Sequence, residues 1–444
     1  MLTNPGRAQD APSVVGPARA LGLAPLIARP EPQTPATAST SSESTPAQIK
    51  IRSARASIKA DPTLYQGHNE LAMALARRAR ESGNPEYYDA AGEALKESLR
   101  LAPDNLEGRR IEIWLLLGTH NFAQALEKAR TLNKEVPDDT LCYAMLADAA
   151  IEMGLYAEAE KAVQWNFDLR PGEIAGLTRG AYLREIFGDL DGAIEFMNSA
   201  YQRTAPTEVE DRAWILTHLA HLLLLSGKTE LADQHVTEAL RLFPNYHYAL
   251  AAQARVRTAQ KEFTDAVDIL REYFLVARSS ESLFALAEAL QRAGEEKEAG
   301  AVFALFEKQA LEESTGMHNH NRDLIFYYAE HTDKPAEALR LAKMEIKRRQ
   351  DVKTLHAYAW ALFVNGEVAE ADTQLKMALA VGVRDPVMFY HAGRIAAKLG
   401  DAAGAEKNLL ASLAQAPDSE VGGLVRRALA ELHTNSTTSP VSGK

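Results

Sequence analysis

The chain is almost without cysteine: Cys142 is the only one in 444 residues. A single thiol forms no internal disulfide and builds no cysteine-based zinc site. Its place in an apolar helical pattern reads as a core position. No apolar run reaches the length of a membrane-spanning helix. Positive charge is also in deficit. A net charge of −11 argues against a general nucleic-acid binder, which needs a basic face, and suits a protein partner, including one with basic segments. Familiar catalytic signatures are missing: there is no GxGxxG, HExxH or GxSxG. Ser226-Gly227-Lys228-Thr229 lacks the earlier glycine of a phosphate loop, because Leu222 stands there, so it reads as a turn between helices.

Histidines and acids are present but lack the spacing that chemistry requires. His218 and His221 lie three apart on one helix, and His247 falls in the next repeat. No carboxylate shares their helical face, so no metal site is expected. His318, His320 and His331 flank a long connection and read as solvated. Paired acids such as Asp138-Asp139 and Glu295-Glu296 fit helix starts, where they favour the macrodipole. Neither a cofactor nor an enzymatic activity is expected.

The composition is that of a folded protein, with 46% apolar and 25% charged residues. Residues 1–46 are rich in Pro, Ala, Ser and Thr and are expected to form a disordered leader; 434–444 are expected to form a disordered tail. Gly16, Pro17, Arg19 and Pro25 interrupt what would be the apolar core of an export signal. A cytoplasmic location is therefore expected, with an exported or periplasmic one as the alternative.

Between the tails the chain repeats itself. Small residues inside an apolar helix recur at Ala91, Ala125, Ala159, Ala193, Ala232, Ala266, Ala299, Ala338, Ala371 and Ala405. Their spacing is 33 or 34 residues, broken by two steps of 39. Ala147, Ala181, Ala220, Ala254, Ala287, Ala359 and Gly393 stand twelve residues earlier, and Pro103, Pro137, Pro171, Pro244 and Pro417 twelve later. Glycines at 154, 188, 227, 294, 366 and 400 keep the same phase. Such a period describes two helices joined by a short turn, with small residues where their backbones approach. About 34 residues cannot bury a core alone, so neighbouring units must stack. The extra residues of the two long steps, near 206–211 and 312–321, read as a longer loop or helix extension, or as a change of pitch or a cargo-touching loop.

The pattern resembles the tetratricopeptide repeat family. Tyr143, Leu146 and Ala147, followed by Gly154, Tyr156, Ala159 and Pro171, carry one copy; Leu283, Leu286, Ala287, Gly294 and Ala299 carry another. The resemblance implies an all-α fold, a right-handed α-solenoid of about ten helix pairs over 47–433. Its units run roughly 63–103, 104–137, 138–171, 172–206, 207–244, 245–278, 279–312, 313–350, 351–384 and 385–418. Gln48–Asp61 is expected to cap the start and 419–433 the end, where Leu424, Val425, Ala428 and Leu432 offer an apolar side. Large residues at Ile113 and Phe326 make the second and eighth units irregular.

The resemblance also implies a function, a scaffold or adaptor that binds a peptide or protein segment along a groove lined by the first helix of each unit. An accessory subunit of an enzyme complex, or a self-associating structural protein, is the alternative. The register places Arg110, Trp114, Tyr182, Trp214, His221, Tyr248, Arg255, Phe284, Tyr327, His356, Trp360, Tyr390 and Arg394 in that groove, with Asp148, Thr217, Glu288 and Asp323 beside them. Aromatics are 7% of the chain but about half of this set, and Trp, Tyr and Arg dominate binding hot spots. The lysine–asparagine clamp that some relatives use for a terminal carboxylate is not matched. If the alanines are contact points, Ala159→Leu overpacks the pair and lowers stability by about 1–3 kcal/mol; thermal melting of the variant measures this.

Overall fold

The computed structural model describes residues 45–316 and 319–438. The export-signal question, most of the leader and His318 lie outside them. Twenty-two helices and no strand occur among the described residues. Helix α1, Pro46–Ala60, opens the array. Thr45 caps it, its hydroxyl accepting from the Gln48 N–H while the Gln48 side chain accepts from Thr45 N–H. Ten helix pairs follow, α2 Tyr65–Ser82 with α3 Glu86–Leu101 through to α20 Pro386–Lys398 with α21 Ala402–Gln415. The closing helix α22 runs Glu420–Thr438, past the end expected for the capping helix at 433. Its Val425 and Ala428 are buried in a cluster with Tyr390 and Leu409, with Leu424 packed alongside. The apolar side of the last helix is thus used to seal the array.

All ten marker alanines are buried, none more than 2% exposed. They lie where the two helices of a pair pack, as the spacing required. The turn glycines hold left-handed backbone, from φ 71° at Gly154 to 83° at Gly366. Two units manage without glycine: His120 and Lys261 take φ 59° and 65° at the same turn position. The eighth unit is short, with helices Asn321–Glu330 and Pro335–Glu345 of ten and eleven residues. Cys142 is fully buried, and burial pushes its thiol up to about 12, so it is a core side chain.

Curvature follows from unequal packing on the two faces. First helices of adjacent units touch one another at most junctions, whereas second helices reach no comparable contact. The array therefore bends with the first helices inside. It bends far enough for one coil turn to rest on the next. The Gln350 N–H donates to the Glu152 carbonyl at 2.9 Å, and the Val352 N–H donates to the Tyr156 hydroxyl at 2.9 Å. Gly83 faces Ala277, Gly154 faces Gln350, and Gly188 faces Gly382. These partners are 194 to 198 residues apart, about six units. In each case the turn inside a unit of the first coil meets the loop between units of the second.

The two long steps of the repeat make contacts of different reach, the first between distant units and the second within the eighth unit. The first lengthens α10, Val209–Leu225, and carries Glu210 and Asp211 to Arg80 of the first unit. Arg80 Nε lies 3.0 Å from Glu210, and the Arg80 carbonyl is 2.8 Å from His247 Nε2. The second lengthens α15, Glu296–Glu313, and adds a loop whose Ser314 and Gly316 carbonyls accept from Arg348.

A side chain at Gly154 would place its Cβ 2.6 Å from the Gln350 carbonyl oxygen, whereas Gly366, with similar φ, has open space around it. Gly366→Ala is expected to cost only the left-handed backbone term, about 1–2 kcal/mol. Gly154→Ala is expected to cost about 1–3 kcal/mol more through overpacking and to enlarge the radius of gyration. Melting and solution X-ray scattering of the two variants separate these terms.

Candidate protein-binding groove

The inner helices of the fourth to sixth units, α8 Ile174–Ile186, α10 and α12 His247–Ala259, assemble one continuous group. Trp214 stacks on His218 with ring centres 5.5 Å apart, and Tyr182 meets the same imidazole edge-on at 6.3 Å. Residues 214, 218 and 221 share one face of α10 because a helix returns to the same side every three or four positions. Glu185, from the preceding unit, lies 3.2 Å from His218 Nε2 and 2.9 Å from His221 Nε2. Burial alone would raise that carboxyl, but the bonds from the two imidazoles outweigh it and hold it well below the usual range. Burial lowers the pKa of His221. Sequence reading missed Glu185 because it searched for a carboxylate on the same helix; one unit earlier was the place to look.

Arg255 projects from α12 and is exposed, with no ion pair or hydrogen bond among the described residues. Desolvation by the surrounding coil lowers its pKa, with Glu281 and Glu185 opposing this only at a distance. Tyr248, at the start of the same helix, keeps 41% of its surface exposed and packs its ring 4.0 Å from that of His247. Thr217 is buried, its hydroxyl donating to the Ala213 carbonyl, and so takes no part in this strip.

Other register positions serve the protein itself. Arg110 is committed to Asp139, which its Nε approaches at 2.6 Å, and to Glu107. Trp114 is half-buried against two core clusters. Asp148 receives Arg179 at 2.6 Å. Phe284 packs against Phe303, Phe306 and His331. Glu288 pairs with Arg292, and Asp323 stands 3.8 Å from His320, its carboxyl pushed up to about 6 by burial.

Tyr327, His356, Trp360 and Tyr390, expected to face the groove, are each less than a tenth exposed. The physical reason is the eighth unit, whose Phe326 occupies a position usually small and reaches His356 at 5.3 Å and His391 at 6.4 Å. A closed cluster results: His356 Nε2 and His391 Nδ1 are 2.8 Å apart, Trp360 stacks on His391 at 3.5 Å, and Arg394 donates to the Tyr390 hydroxyl at 2.9 Å.

No protein-family model matches this sequence, and no curated protein matches it. Solved structures do share its helical architecture. The human IFIT1 dimer with PPP-AAAA has a TM-score of 0.48 at 15% identity, over 83% of this chain and 87% of that one. Cut9 with Hcn1, an APC/C hetero-tetramer, gives 0.42 at 13% identity over 81% of this chain; the chain spans about half, 55%, of the matched one. A tetratricopeptide repeat protein from Parabacteroides merdae gives 0.37 at 15% identity over 59% of this chain and 98% of that one. The chain resembles the tetratricopeptide repeat proteins. Its helix pairs, alanine contacts and turn glycines are of that type. No helix among the described residues is long and apolar enough to cross a membrane.

The His356–His391 pair makes a pH prediction. Burial holds both imidazoles below their ordinary range, His356 at about 4. An unfolded imidazole titrates near 6.5, so between these values the unfolded state binds protons that the folded state refuses. Stability is therefore present above about pH 6.5 and falls as pH drops towards 4, by up to about 1.4 kcal/mol per unit and proton. Carboxyls that burial holds high, Asp323 and Glu330 among them, act with the opposite sign in both proteins, so the expected result is a difference: the melting temperature of His356→Asn relative to wild type rises as pH falls across this window.

Proposed function

We propose that the protein is an interaction scaffold that holds a segment of a protein partner on the inner face of its fourth to sixth units. The reading rests on one observation: Tyr182, Trp214, His221, Tyr248 and Arg255 remain in reach of solvent there, while Tyr327, Trp360 and Tyr390 of the eighth to tenth units are closed off. Aromatic rings with a polar edge beside an unpaired guanidinium supply contact area and charge-assisted hydrogen bonding in one place. A segment carrying an apolar or aromatic residue near an acidic one fits this chemistry. The remaining register positions, Arg110, Trp114, Phe284, Tyr327, His356, Trp360, Tyr390 and Arg394, act on this reading as the wall that fixes the strip.

The test is site-specific photo-crosslinking in extracts of the native cell. A photoreactive residue at Tyr248 is expected to capture a discrete protein product. That product disappears when Trp214→Ala and Arg255→Ala are introduced with helicity unchanged. The same probe at Trp165, 45% exposed on an outer helix, reports the background. Identical products from both positions, unaffected by the double variant, would overturn the assignment.

A further inference from the structure

The contact between coil turns leaves complementary edges unused. Within the chain, turns of the first coil rest on inter-unit loops of the second, with Gly83, Gly154 and Gly188 covered at the contact. At the equivalent turns of later units, Gly227, Gly294, Gly366 and Gly400 have open space where a Cβ would stand. One end of the coil therefore presents a row of free turns.

The opposite end presents free loops of the kind that receive such turns. The clearest case compares two loops of the same design. Before the ninth unit, Asp351 accepts from the Lys353 and Thr354 N–H groups at 2.9 and 3.3 Å, and the adjacent Val352 N–H is taken by Tyr156 from the coil turn beneath. Before the third unit, six units earlier, Asp139 accepts from Leu141 and Cys142 at the same 2.9 and 3.3 Å. There the Thr140 N–H meets no such partner among the described residues. In place of a neighbouring coil turn there is a recess of about 650 Å³, lined by Arg110, Glu135, Asp138, Thr140, Leu141 and Glu173, among others. Leu141 leaves 47% of its surface exposed at this rim. The helices α1 and α22 seal the apolar ends of the array, but neither covers this edge.

We propose that a second copy of the chain stacks end to end on the first, a turn of one copy entering the recess before the third unit of the other. The occupant is a second copy because the receiving loop repeats the two aspartate-cap bonds of a loop already filled by this chain's own turn. Such a contact joins unlike surfaces and does not close, so stacking continues beyond two copies.

Sedimentation velocity of the full chain over rising concentration tests this. The expected mass grows from 48.6 kDa past that of a dimer, and Leu141→Glu holds the protein at 48.6 kDa. Leu410→Glu, at another exposed leucine on an outer helix, leaves the growth unchanged. A photoreactive residue at position 141 is expected to link to turns 226–229, 293–296, 365–367 or 399–401 of a second copy. A single mass of 48.6 kDa for the wild type at every concentration overturns the proposal. So does growth that Leu141→Glu does not affect, or linkage of position 141 to the same loop in the second copy.

Discussion

Close approach of backbones is the constraint on which the rest of the structure depends. It operates twice. Within each unit a buried alanine lets two helices touch, and the recurrence of that contact gives most units a similar pair. Equal steps compound: a small rotation per unit brings the chain back over itself after about six. There a second approach is required, turn against loop, and the glycines that permit left-handed turns also leave room for a facing carbonyl. Gly154 has both duties, while Gly366 has only the first. The same residue type at the same phase is thus constrained differently according to the coil turn it lies in.

The inner face of the coil is consequently polar and crowded. Arg80, Glu210 and Asp211, or Glu152 beside Arg349 and Asp351, bring charges from distant units into partly buried contact. Burial, with Asp351 adding to it, pushes the Glu152 carboxyl up to about 7; at Asp351 burial acts the same way, but Arg322, the Thr354 hydroxyl, Arg349 and Lys353 together outweigh it and hold the carboxyl low. Such groups contribute little net stability, since desolvation offsets much of the attraction. Their stronger effect is on alternatives: a coil displaced by one unit would leave these charges buried without partners. Register between the turns is therefore enforced more by the penalty for error than by the gain from success.

Local features of this architecture were legible in the sequence, and distant ones were not. The alanines, prolines and turn glycines gave helix pairs and their boundaries, because each reflects contacts within about 34 residues. Ile113 and Phe326 marked departures from the pattern, and the eighth unit is indeed shortened. The contact of Gly154 with Gln350 had no signature, since a glycine required by a turn looks the same whether or not another chain segment covers it. Glu185 escaped for a related reason, as its histidine partners lie one unit on. The register could not say which of its positions solvent reaches. Tyr327, Trp360 and Tyr390 have the residue types of a binding surface and are spent on packing.

That division of labour explains why the open strip lies where it does. In the later units Phe326 fills the space that a small residue would leave, and the surrounding rings collapse onto His356 and His391. In the fourth to sixth units the corresponding places hold Ala181, Ala220 and Ala254, so nothing displaces the side chains at the register positions into the wall. Glu185 then fixes His218 and His221, His218 props Trp214, and Arg255 is left without an ion pair among the described residues. The ninth and tenth units also carry small residues at this place, Ala359 and Gly393, so it is the one large residue, Phe326, reaching His356 and His391, that turns the neighbouring aromatics into core.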